Sequence, residues 1–210
     1  MSAQAVAAPV KVHRPLSAED AARANFYALL ARLLTGGPDE ALLGNLADAE
    51  PLGGEADPAL AAAWQALVEA SSGADADAVA EEYEELFIGV GKARISIYAG
   101  FHGGAPAVDH PRVRIQADLA ALGLARTTST EPEDHYAIVF ETMRVLAGGG
   151  AGREPAGIAE QKRFFDRHVA PGAARFFAVV TADAKANYYR RVAALGAAFV
   201  ALETGSFELD

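Results

Sequence analysis

Asp134 and His135 form the pair in this chain best suited to chemistry. An imidazole beside a carboxylate can move a proton, or make charge-assisted contacts to a partner. The pair follows Thr130-Glu131-Pro132-Glu133, which has the T-x-x-E form of a helix capping box with proline in the first turn. Capping explains Thr130, Glu131 and Glu133, because carboxylates complement the free N–H groups and the positive end of the helix dipole. It does not explain His135, since an imidazole gains nothing from that end. With no nucleophile near it in sequence, His135 reads as a contact residue at a binding surface.

Other reactive arrangements are missing or weak. The chain has no G-x-x-x-x-G-K-[ST], no G-x-G-x-x-G opening a helix after a strand and no G-x-S-x-G elbow. Gly89-Val90-Gly91-Lys92 follows a helix and reads as a plain turn, with a nucleotide phosphate loop as the alternative. The five histidines are His13, His102, His110, His135 and His168, and no two sit four apart around a glutamate. His102, Asp109 and His110 could in principle hold a hard or borderline metal, but such residues are more often polar loop groups. No metal or cofactor is expected.

The elements that position these residues are helices. Alanine occupies 49 of the 210 positions, and period-two alternation is scarce. Ser17 and Asp20 open a first helix over about 17–34, ended by Gly36-Gly37-Pro38. A shorter helix follows over 39–47, and Asp57-Pro58 opens one to about 71. Asp75 or Asp77 begins another, with Val79, Tyr83, Leu86 and Phe87 on one face. Residues 89–110 hold five glycines and a proline, and read as a long crossover loop. Further helices are expected from Pro111, from the capping box at Thr130, from Glu154-Pro155, after Pro171-Gly172 and from Asp183 to about 203. The aromatic pairs Phe26-Tyr27, Phe164-Phe165, Phe176-Phe177 and Tyr188-Tyr189 are read mainly as core anchors, and Trp64 as a core plug or a groove wall. The expected architecture is all-α, a single domain of eight or nine helices over 17–203. The crossover divides it in two, with a flexible segment at 1–16 and a tail at 204–210.

Charge is unevenly spread. Against a net charge of -10, residues 33–91 carry thirteen acidic side chains and no basic one. Such a block is a solvated helix face, a field that attracts a cationic partner, or both. The acidic balance argues against non-specific nucleic-acid binding. No continuous apolar run reaches the length of a membrane span, so no stable membrane insertion is expected. The absence of cysteine excludes disulfides, thiolate chemistry and Cys-ligated clusters, and is compatible with a cytoplasmic location.

Three stretches carry a resemblance. EEYEELFIGVG (81–91) is similar to the Y-x-x-LF-x-G-x-G element of the TorD/DmsD/NarJ-type molybdoenzyme maturation chaperones. EPEDHYAIVFETMRVLA (131–147) resembles their E-P-x-DH start and the helix that follows it. Residues 161–203 resemble their F-x-x-x-H helix and their last helix. Two departures loosen the subgroup: ARISIYAGFHGG (93–104) stands where a PPYES-like stretch is common, and Gly172 where tryptophan is common.

The resemblance implies a cytoplasmic, cofactor-free chaperone, not an enzyme. It would bind the twin-arginine signal peptide and the apo form of a molybdopterin-containing oxidoreductase, and assist cofactor insertion. It maps a peptide-binding role onto Asp134, His135, Glu131, Pro132, Tyr83 and Phe87, with Tyr98 aligning with a tyrosine in the altered stretch. A cationic leader needs an acidic approach and an apolar groove, which the block at 33–91 and the region of Asp134 are placed to supply. Two alternatives stay open: a small helical enzyme using His135 with a carboxylate, and a nucleotide-responsive protein using the 89–92 turn.

Overall fold

The computed structural model describes residues 16–54, 56–104, 111–124, 131–150 and 152–209. Among these it has ten α-helices: α1 Ala18–Thr35, α2 Glu40–Ala47, α3 Pro58–Ser71, α4 Ala76–Tyr83, α5 Ala99–His102, α6 Pro111–Ala121, α7 Tyr136–Gly148, α8 Ile158–His168, α9 Ala173–Ala182 and α10 Tyr188–Leu209. A π-turn, Glu84–Ile88, extends α4. Pairing between extended segments is limited, in the described residues, to two isolated bridges, Tyr98 with His135 and Gly150 with Arg153. The all-α reading holds.

Several helix starts follow from local capping. The Ser17 hydroxyl accepts from Asp20 N at 3.0 Å, Asp39 from Leu42 N at 2.8 Å, and Asp75 from Ala78 N at 3.0 Å. Asp57 caps α3 through Ala59 N and Leu60 N, with Pro58 in the first turn. The core is built around α10, which packs on α3 and α9 and also touches α1 and α4, while α1 lies along α7. Tyr27, Phe140, Phe177 and Phe199 are buried where these helices meet. Gly196 allows α10 to close on α9, because a Cβ there would fall inside the Phe177 ring. Trp64 is half-buried edge-on to Phe26, and its indole N–H donates to the Glu50 carbonyl at 2.9 Å.

Five sequence expectations need correction. The helix expected from Thr130 begins only at Tyr136: Thr130 lies outside the described residues, and Glu133 turns to Arg112 at 3.0 Å. The helix expected from Glu154 begins at Ile158, because Ala156 N donates to the Leu146 carbonyl and holds the segment extended. The last helix begins at Tyr188, not Asp183, and runs to Leu209, past the expected end at 203; Phe207 is buried against Phe165. By length and composition α10 could also cross a membrane, with a mean hydropathy of 1.4 over its best window, so the exclusion of a spanning helix does not stand on sequence alone. Here it is the core helix, whose buried side packs on α3 and α9. Finally, the crossover is not a plain loop. It contains the short α5, the tenth helix, and it alternates like a strand: Ile95, Ile97 and Ala99 are buried between half-exposed Ser96 and Tyr98.

Candidate functional site

The bridge between the crossover and the start of α7 brings Tyr98 and His135 together. Ala99 N donates to the Asp134 carbonyl at 2.7 Å, and Tyr136 N donates to the Ile97 carbonyl at 3.1 Å. Alternation along the crossover turns Ile95 and Ile97 inward and Tyr98 outward. The Tyr98 and His135 rings meet edge to face with centroids 5.5 Å apart, and the Tyr98 hydroxyl donates to Glu131 Oε2 at 3.3 Å.

His135 is the N-cap of α7, and its Nδ1 accepts from Ala137 N at 3.2 Å. The imidazole that looked out of place in a first helical turn is therefore the capping group itself. Burial holds its pKa below the usual histidine value, against the opposing pull of Glu131 and Asp134. With Nδ1 accepting, the neutral ring carries its proton on Nε2, which leaves Nε2–H as its donor. Burial, and after it the Glu131 carboxylate, push the Tyr98 phenol up, so it too is a neutral donor. The site thus combines two neutral N–H and O–H groups with two carboxylates.

Glu131 is exposed and Asp134 half-buried. Asp134 Oδ2 lies over Gly100, where a Cβ would stand only 3.0 Å from it, so a side chain at 100 would crowd the carboxylate. Asp134 also borders a cavity of about 30 Å³ with Arg114, His168 and Gly172. That is room for about one water, far below the ~300 Å³ at which small-molecule sites begin. Among the described residues, the cavity that Asp134 borders is too small for a substrate of the enzyme alternative, with His135 as acid or base.

Pro132, half-buried, accepts from His135 N at 3.0 Å and shapes the turn. Tyr83 and Phe87 do not join the exposed group. Both are buried, the Tyr83 hydroxyl donates to the Leu34 carbonyl at 3.1 Å, and their rings pack on Tyr189. Tyr83 still lies near enough to feel the site: its pKa is pushed up to about 12 by burial first, then by Glu131 and Tyr98. The 81–91 motif is therefore largely architectural, since Leu86 is also buried, and Gly89 has φ +66 with no room for a Cβ beside the Lys92 carbonyl.

The same turn fits the nucleotide alternative poorly. Gly89 N already donates to the Glu84 carbonyl at 2.8 Å, and Lys92 shares its groove with Glu81, Glu84 and Glu85. A phosphate there would face carboxylates. Asp109 and His110 lie outside the described residues, and His102 is buried with Nε2 against the Ser96 carbonyl at 2.7 Å. Among the described residues no group of three or more His, Asp or Glu could hold a metal ion.

Some positioning residues gave no signal in the sequence. Arg112 engages Glu133, and Glu82 reaches from α4 to accept from Asn187, Tyr188 and Tyr189 N at 2.8–3.0 Å, capping α10. Part of the acidic run is thus a helix cap and not a solvated face.

The helical architecture is shared with known proteins. The crystal structure of a protein from Archaeoglobus fulgidus, proposed to be a redox enzyme maturation protein, superposes with a TM-score of 0.53 over 87% of this chain and 93% of that one. At 18% identity that likeness establishes the fold. A search of curated protein sequences gives no match. The family model described as nitrate reductase delta subunit matches residues 54–178, more than half of the chain and all of the Tyr98–His135 site. The chain belongs to this family, the NarJ-type group of molybdoenzyme maturation chaperones.

Proposed function

We propose that the protein is a stoichiometric, cytoplasmic chaperone that binds the N-terminal signal peptide and the apo form of a nitrate-reductase-like molybdopterin oxidoreductase, and assists cofactor insertion before export or assembly. The observation that carries this reading is the cluster of Glu131 and Asp134 carboxylates around the neutral Tyr98 and His135 donors, held where the crossover meets α7. Carboxylates accept bidentately from guanidinium groups, as a twin-arginine leader would require. In this reading the Nε2–H of His135 donates to a peptide carbonyl. The -13 block at 33–91 adds a long-range attraction that salt would screen.

A labelled peptide copying the client's leader should bind the full chain at micromolar or better affinity, more weakly as salt rises. Because His135 caps α7, its removal would confuse binding with stability. Glu131→Gln with Asp134→Asn keeps shape and removes charge. This double variant should weaken binding at least tenfold, about 1.4 kcal/mol, with the circular dichroism spectrum unchanged. Unchanged affinity would reject this face as the leader site.

A further inference from the structure

The end of α4 carries a second surface that the leader site does not use. A π-turn places one extra residue in its helical turn, and such turns are frequent where a helix serves a function. Here both Leu86 and Phe87 stay buried while Ile88 is left 58% exposed. Gly89 then reverses the chain with φ +66, so that Val90 stands fully in solvent. Ile88 and Val90 lie in a groove of about 490 Å³ with Glu81, Glu84, Glu85 and Lys92.

Charge around this groove is only partly neutralised from within. Lys185 meets Glu85 at 3.0 Å, and Arg94, at the groove's edge, is taken up by Asp183. The Glu81 and Glu84 carboxylates have no ion-pair or hydrogen-bond partner among the described residues. Glu81, Glu84, Glu85 and Ile88 follow one another at helical spacing on the outer face of one element. They offer carboxylates beside an apolar step.

We infer that this groove docks a cationic amphipathic segment of a protein partner, with apolar side chains over Ile88 and Val90 and lysine or arginine against Glu81 and Glu84. A second copy of this chain paired symmetrically through this face would bring the same negative charge, and nucleic acid or an anionic membrane the wrong sign. None of the residues that line this groove belongs to the Tyr98–His135 cluster, and the proposal does not depend on that cluster.

The test is a titration of the full-length ¹⁵N-labelled chain with an 18-residue amphipathic Leu/Lys peptide, and with Leu/Glu and Ser/Lys versions of the same pattern. The Leu/Lys peptide should shift the amide signals of Glu81, Glu84, Ile88, Gly89 and Val90. Ile88→Ser with Val90→Ser, and separately Glu81→Gln with Glu84→Gln, should each weaken binding at least tenfold; all four side chains are exposed, so the fold is not at stake. Equal binding of the Leu/Glu peptide would show simple stickiness, and equal binding of the Ser/Lys peptide simple charge attraction; either overturns the proposal. Shifts confined to Tyr98, Ala99, His135 and Tyr136 would overturn it while leaving the leader site standing, and no shift at all would also sink it. Failure of the Glu131/Asp134 variant in the leader assay leaves this titration unaffected.

Discussion

Glu203 illustrates how much a single buried charge organises. It is almost fully buried in α10, takes two hydrogen bonds from the Arg23 guanidinium at 2.7 and 2.8 Å, and a third from the Tyr27 hydroxyl at 2.6 Å. Glu203→Ala should therefore cost about 3 kcal/mol in urea unfolding, because it strands the buried Tyr27 phenol and leaves the part-buried Arg23 guanidinium with Asp20 alone. Glu203→Gln should cost less, since one acceptor remains. At this scale the sequence was legible where a residue's partner is adjacent and silent where it is remote. Asp134 and His135 stand out through their neighbours, and the structure adds the reason for His135. Nothing near Glu203 points to Arg23. Tyr83 and Phe87 were recognisable by motif, but a motif does not say whether a position faces core or solvent. Their spacing on the inner side of α4 does, and they are core.

At the scale of elements the same distinction separates the helix starts. The Ser17, Asp39, Asp57 and Asp75 caps sit within three residues of the N–H groups they satisfy; Ser17 and Asp57 were read as helix starts, Asp75 as one of two candidates, and Asp39 only as the start of a helix over 39–47. α10 escaped because its capping group, Glu82, comes from another helix. Glu82→Ala should lower stability by about 1–2 kcal/mol, with the earliest loss of amide protection at residues 187–189 in hydrogen exchange. α7 was misplaced because Glu133, in the sequence position of a capping glutamate, is engaged by Arg112. Close helix contact makes a further prediction. Gly196→Ala would push into the Phe177 ring and should destabilise by roughly 1–3 kcal/mol, despite alanine's better helix propensity.

For the whole molecule, acidity is the informative variable. His102, His135 and His168 are all buried, and burial lowers the pKa of each below 6.5. The unfolded chain takes up these protons first, so their contribution is fully present above about pH 6.5 and is lost as pH falls toward the depressed folded values. The unfolding midpoint in urea should drop between pH 7 and pH 5, and His102→Gln should flatten part of that slope. The all-α class and the order of the main helices were legible, because alanine and leucine patterning is a local signal. The packing partners were not. Helix α1 lies along α7, although the whole of 36–135 separates them. At ~5–20 residues per second of synthesis, the apolar face of α1 would wait roughly 5–20 s on the ribosome before its partner emerges. A member of a maturation-chaperone family would thus itself spend its own birth with an unfinished core.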